Sequence, residues 1–206
     1  MGTVRAVGSK TSKLKEGDRV CCLYPHHFDT AVIVDERHCE LLLADERPED
    51  LISQIHPVVT SLHVVELLLG LHAGDQILVD CRQAHLACII SQVALLEGCR
   101  VYVTFDSEAG RDILQQLGND SHLVDRQANF KQALLGTSFD AILTDSTDGY
   151  QLFDNIINSG GRIVALANAA PVEMVNAAVS FLNKSVTIGM FDPFNGFATA
   201  PVQHSR

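Results

Sequence analysis

The sequence predicts an α/β fold: a doubly wound parallel sheet of about six strands with helices on both faces. Three observations carry that prediction. From Asp75 onward, short apolar runs alternate regularly with amphipathic stretches of about two to three helical turns. The run QILVDCRQAHLACIISQVALL, from Gln76 to Leu96, reads as a buried strand, a tight turn and an apolar helix. The opening third, in contrast, has short β-type runs and no helical periodicity.

Within that opening third, Leu14 to Val20 reads LKEGDRV, a β-turn feeding a strand. A second strand is expected over 30–34 and a third over 39–43. Arg47 to Asp50 is polar, contains Pro48 and marks a boundary. Apolar residues at Leu62, Val65, Leu68 and Leu69 then predict a helix within 51–71, with Pro57 near its first turn and Gly74 as its stop. The βα rhythm predicts strands over 76–79, 100–104, 121–124, 141–144, 162–166 and 185–189. The helices between them are expected over 84–96, 107–117, 128–135, 150–157 and 172–182. The chain is therefore expected to divide into a β-rich segment, 1–46, a sheet domain, 47–190, and a tail, 191–206.

Composition sets outer limits. The chain has 206 residues, 47% of them hydrophobic, and a formal net charge of −10. That charge argues against a nucleic-acid partner, which is held through clustered Lys and Arg. No run of about 18 apolar residues and no apolar signal region are present, so no membrane span and a cytoplasmic location are expected. The six cysteines have no paired metal spacing and read as small core side chains in a reducing compartment. The adjacent His26 and His27 have no further ligand at metal spacing, so no metal site is expected.

Three runs resemble one family. They are GDRVCCLYPHHFDTAVIVDE, HPVVTSLHVVELLLGLHAGDQILVD and CRVYVTFDSEAGRDIL. They resemble the enoyl reductase domain of highly reducing polyketide synthases, fungal-type above all, in the medium-chain dehydrogenase/reductase superfamily. The likeness extends in order from about Val4 to Met190. It implies a Rossmann cofactor half preceded by a small β-rich fragment of the substrate half. It also implies hydride transfer from NADPH to a carrier-bound enoyl chain, without zinc. The family's strands before Val4 and its closing segment after the sixth Rossmann strand are absent.

The family's glycine-rich turn falls on Ala84, His85, Leu86 and Ala87, and none of these is glycine. Glycine serves there for a tight turn, for close pyrophosphate approach and for helix–strand packing. A non-glycine residue forced to positive φ would cost about 1–2 kcal/mol, so a rebuilt turn is expected. Asp80, three residues before Gln83, forms a capping-box pattern. Its carboxylate is expected to cap the helix and to occupy the site a pyrophosphate would use. Arg82 as a phosphate ligand is the competing reading.

Further positions agree with the family in part. Ser107 and Arg111 match its 2′-phosphate segment, although the Lys between them is Gly110 here, and Asp106 would repel that phosphate. Arg126 keeps the Arg of a Ser-Arg pair whose Ser is now Asp125. Arg82, Ser107, Arg111 and Arg126 are thus vestigial cofactor-binding candidates. Against this stands the reading of Arg111 and Arg126 as solvated surface charges. A Thr near the nicotinamide falls on Leu62, beside His63, and a further family run on Ala165, Leu166, Ala167 and Asn168. New catalysis would need His26, His27, Asp29 and His63 to cluster; no GxSxG elbow is present, and no catalytic residue is assigned.

The expected function is a degenerate enoyl-reductase domain with a structural or docking role, holding no NADPH. Its expected partners are other synthase domains, a separate enoyl reductase or an acyl carrier protein, and the 184–190 edge is expected to pair either with a second copy across a two-fold axis or with the 191–206 tail. The alternatives are an active NADPH-dependent enoyl reductase and a stand-alone binding module.

Overall fold

The computed structural model describes residues 1–22, 30–117, 121–127, 130–146, 150–166 and 181–192. They fall in two compact units, which divide between His56 and Pro57.

The first unit holds a three-stranded antiparallel sheet, β1 (Gly2–Thr3), β2 (Arg19–Cys22) and β3 (Cys39–Leu41), in the order β1-β2-β3. The turn predicted at Lys-Glu-Gly-Asp is present. Gly17 sits at φ +89°, open to glycine but strained for other residues, and its N–H donates to Val4 across the turn. The strand expected over 30–34 does not form. Its β-branched residues suit a strand, but β2 already pairs β1 and β3, and Ile33 is left 97% exposed. Ser12 and Lys13 donate backbone N–H bonds to the Glu36 carboxylate at 3.0 Å each, which fastens the chain before β2 to the turn before β3.

The second unit holds six parallel strands: β4 (Gln76–Asp80), β5 (Arg100–Phe105), β6 (Ser121–Asp125), β7 (Phe139–Thr144), β8 (Ile157–Leu166) and β9 (Thr187–Phe191). Their order is β6-β5-β4-β7-β8-β9. The order reverses between β4 and β7, the switch point beside which open α/β sheets bind ligands. The strands are short apolar runs because both faces are covered. One face buries Leu78, Ile142 and Ile163 with Phe139, Leu152, Phe153 and Phe181. Ile77 and Val79 point to the opposite face, where α2 (Ala84–Leu96) packs on β4 and β5. Each such side chain, when fully buried, contributes about 1.5–3 kcal/mol.

Helix ends explain most differences from expectation. α1 (Pro48–Leu62) starts at Pro48, in the stretch read as a boundary, so Pro57 lies inside it rather than in its first turn. A π-helical turn, His63–Leu68, continues it. The chain leaves that turn at Gly70, φ +52°, four residues before the expected stop, and the Gly70 carbonyl accepts from Arg162 at 2.7 Å. The continuous helix Leu51–Leu68 has mean hydropathy 1.3 and is, by length and composition, apolar enough to cross a membrane. Val64 and Val65 within it are fully buried in the protein. α2 ends at Gly98, φ +81°, where Cys99 donates back to Ala94, and a Cβ on Gly98 would come within 3.2 Å of Ala73. The helices α3 (Glu108–Leu114), α4 (Phe130–Leu134) and α5 (Tyr150–Ile156) are shorter than their periodic patterns, and the ends of α4 and α5 lie within a few residues of expectation. β8 begins at Ile157, five residues before expectation, and ends at Leu166 as expected; β9 begins and ends two residues later than expected, so Phe191 closes it instead of opening a tail. The helix expected over 172–182, up to residue 180, and the tail beyond 192 lie outside the described residues.

Candidate functional site

The carboxyl ends of β4, β5 and β7 and the residue after β6 meet at one buried carboxylate. Asp80, the last residue of β4, is 1% exposed. Thr104 on β5 donates its hydroxyl to Asp80 Oδ1 at 3.0 Å, and Thr144, which closes β7, donates to Oδ2 at 3.1 Å. Arg126, one residue past β6, reaches over β5 and pairs its guanidinium with Oδ1. Ser146 donates its N–H to the Thr144 hydroxyl oxygen at 3.0 Å, so that oxygen is free to send its single proton to the stronger, charged acceptor. Three neutral or charged donors thus serve one carboxylate, which is what a buried charge requires.

Asp80 therefore does not cap α2, contrary to the sequence pattern. A strand residue whose carboxylate is already engaged by Thr104, Thr144 and Arg126 cannot also serve the helix. The N-cap is Gln83, with φ −81° and ψ 95° and no side-chain cap bond. The turn is rebuilt as expected: among the described residues the sole non-glycine at positive φ is Ser185. Ala84, His85, Leu86 and Ala87 form the first helical turn, with His85 facing solvent and Ala87 fully buried.

The negative group at this bend comes from the other side of the switch point. Asp145, the first residue after β7, accepts the Arg82 backbone N–H at 2.9 and 3.1 Å. It also accepts the Cys81 thiol at 3.2 Å. Burial, reinforced by the Asp145 charge, pushes that thiol far above its usual range. The Arg82 guanidinium donates to the Ser146 hydroxyl at 3.2 Å. The turn after β4 and the turn after β7 are thereby tied to each other.

The four candidate residues do not converge on one hollow. Arg82 holds Ser146. Ser107 caps α3, accepting the Gly110 N–H at 3.1 Å. Arg111 lies exposed beside Glu108 and over the Phe105 ring. Arg126 is in the Asp80 cluster and only 18% exposed at its side chain, so its reading as a solvated charge is overturned. The sequence offered no reason to single out Asp145, Ser146, Thr104 or Thr144. The signal was positional: each lies within two residues of the carboxyl end of a strand adjacent to β4 in the switch-point order.

On the other half of this edge the surroundings are apolar. His63 stacks on Phe191, the last residue of β9, with ring centroids 4.6 Å apart. Burial lowers its pKa from the ordinary value of 6.5. His26, His27 and Asp29, its suggested companions, lie outside the described residues, as do Ala167 and Asn168.

A six-stranded sheet in this order with a small antiparallel sheet before it is a fold shared with solved enoyl reductases and a quinone oxidoreductase. The crystal structure of CurK enoyl reductase matches 97% of this chain and 61% of its own with a TM-score of 0.83 at 18% sequence identity. No family model matches the sequence. A highly reducing polyketide synthase of Aspergillus nomiae is 80% identical over 205 residues, and one of Aspergillus sclerotiorum 68% over 204. The chain spans only 7% and 8% of the lengths of those two relatives. The fold is shared with solved enoyl reductases, and the sequence is similar to one segment of the highly reducing polyketide synthases.

Proposed function

We propose that this chain is a degenerate enoyl-reductase domain of a highly reducing polyketide synthase. It binds no NADPH, performs no reduction and serves as a structural or docking element. Residues 1–46 are then a β-rich fragment of the substrate half and 47–190 the cofactor-type domain. The observation that carries this reading is the closed switch point. Asp145 places a carboxylate on the backbone N–H of Arg82, in the turn where a dinucleotide-binding sheet presents such donors to a pyrophosphate. An anionic ligand would have to displace one carboxylate while facing a second, Asp80, already buried beneath it. Arg82, Ser107, Arg111 and Arg126 are on this reading remnants of a cofactor site, each now held by a protein group.

The test is isothermal titration with NADPH, paired with absorbance at the reduced-nicotinamide wavelength during incubation with an enoyl thioester. No heat and constant absorbance are expected. Micromolar binding or steady loss of absorbance would overturn the reading.

One observation favours the second reading, an active NADPH-dependent enoyl reductase. α2 carries no side-chain cap at Gln83, so its first amides remain available to an anion. The same two measurements decide between the readings.

The partners that fit the proposal are the neighbouring synthase domains, a separate enoyl reductase or an acyl carrier protein, and a second copy of the chain. Among the described residues β9 is an edge strand, paired to β8, with Met190 47% exposed. We propose that this edge pairs across a two-fold axis. Light scattering at the dimer mass is expected, and a charge placed by Ile188→Lys is expected to yield the monomer.

A further inference from the structure

Two thiols in the first unit face each other across a strand pair. Cys22 on β2 and Cys39 on β3 are register partners in an antiparallel ladder, and both are half-buried free thiols. Directly opposed residues project to the same face of a sheet. The two thiols are close enough for Cys22 to raise the pKa of Cys39. Cys21, the residue between Val20 and Cys22, points to the opposite face and is buried.

The ladder also fixes which kind of pair this is. Leu42 donates its N–H to the Arg19 carbonyl at 2.8 Å, which makes Arg19 and Leu42 a hydrogen-bonded pair. Hydrogen-bonded and non-hydrogen-bonded pairs alternate along an antiparallel ladder. Moving along the register through Val20 and Leu41, then Cys21 and Glu40, Cys22 and Cys39 fall on a non-hydrogen-bonded pair. Such pairs have Cα atoms about 4.5 Å apart, at the short end of the roughly 4.4–6.8 Å that a disulfide spans. A bond can therefore form with the backbone in place, but with strain, and strained disulfides are the readily reduced ones.

We propose that Cys22 and Cys39 form a reversible redox site, closing to a cross-strand disulfide when hydrogen peroxide oxidises the protein. Peroxide first oxidises the Cys22 thiol to a sulfenic acid and leaves as water. The Cys39 sulfur then attacks the sulfenic sulfur, the S–O bond breaks and a second water leaves with the two thiol protons accounted for. Two electrons pass from the sulfur pair to the peroxide O–O bond. Burial, with the nearby Cys22 and Asp35, pushes the Cys39 thiol up to about 11, so Cys39 is protonated at neutral pH and its attack relies on its position opposite Cys22 rather than on thiolate content. The closed form ties β2 to β3 and makes a ring of residues 22–39. A monothiol of the glutathione class reopens it by exchange through a mixed disulfide.

The test is peroxide treatment of the full 206-residue chain followed by non-reducing peptide mapping. One peptide joining Cys22 to Cys39 is expected, lighter by two hydrogen atoms, with two of the six cysteine thiols lost to titration. Glutathione should restore both. Cys21→Ser should leave the cross-link intact, and Cys22→Ser or Cys39→Ser should abolish it. A cross-link through Cys21, a link between two molecules, or sulfenic acid that persists on Cys22 without ring closure would each overturn the proposal. The peptide map of the unaltered chain is decisive even if a variant folds poorly.

Discussion

The two halves of the sheet's carboxyl edge are built from opposite chemistry. Over β4, β5, β6 and β7 the edge is a buried ionic cluster: Asp80, Thr104, Thr144 and Arg126, with Asp145 and Ser146 beside it. Over β8 and β9 it is apolar, ending in the buried Leu166 and in Phe191 against the His63 ring. Both halves are filled by the protein's own side chains, but the first is filled with charge that must be neutralised internally. A sheet edge that handles charge this way is fixed in place, because all its donors depend on one carboxylate and removing it strands each of them.

The largest expected effect breaks the polar half. Asp80→Ala leaves the Arg126 guanidinium without its counter-ion, and Arg126→Ala leaves a 1% exposed carboxylate with only two neutral donors. Either should cost about 3–5 kcal/mol in urea denaturation. Asp80→Leu combined with Arg126→Met should recover most of that loss, since apolar side chains of similar volume replace buried ion pairs well. Single variants with wild-type stability would show that the cluster is not what holds this half together.

A smaller effect sharpens the role of Asp145. Asp145→Ala removes the acceptor for both Arg82 N–H and the Cys81 thiol and should cost about 1–3 kcal/mol. Cys81 should then alkylate faster, because the neighbouring negative charge that raises its pKa is gone. Asp145→Asn keeps an acceptor and drops the charge. If that charge excludes anions from the turn, pyrophosphate affinity by titration should rise roughly tenfold, about 1.4 kcal/mol.

Next in size come the two helices that leave this half of the edge. Ser107 caps α3 and Gln83 does not cap α2. Ser107→Ala should cost about 1 kcal/mol, and Gln83→Asp should gain about 0.5–1 kcal/mol. Opposite signs in thermal denaturation are the expected result. A loss at Gln83→Asp would mean that the first amides of α2 are already served.

The sequence made the sheet legible because β4, β5, β7 and the second half of β8 are apolar runs at regular spacing, a signal weaker in β6 (SHLVD) and β9 (TIGMF). It was less informative at helix ends. Pro57 read as a helix start because proline suits a first turn, yet the residues before it already follow the helix from Pro48. Thr30 to Val34 read as a strand on β-propensity alone, which cannot report whether a partner edge is available. The site was misread at Asp80 for a related reason. A capping box is a local pattern, whereas Thr104, Arg126 and Thr144 compete for that carboxylate from 24, 46 and 64 residues away. Asp145 escaped notice because nothing local marks an aspartate after a strand. Only the β4–β7 adjacency brings it to Arg82. The loss of glycine at Ala84 to Ala87 was legible, because a turn without glycine must avoid positive φ, and it does.

The smallest expected effect belongs to the apolar half. His63 packs on Phe191, and burial lowers its pKa below the ordinary 6.5. The unfolded chain therefore takes up a proton at higher pH than the folded one. Above pH 6.5 the ring is neutral in both states and contributes nothing to pH dependence. As pH falls through 6.5, the unfolded state gains protons first and stability declines, until the folded-state pKa is passed and the decline levels off. His63→Phe keeps a ring on Phe191 and removes the titration. Its stability should fall less than the wild type's between pH 7 and pH 5, in matched urea denaturation curves. An identical decline in both proteins would show that His63 is not the source of the pH sensitivity.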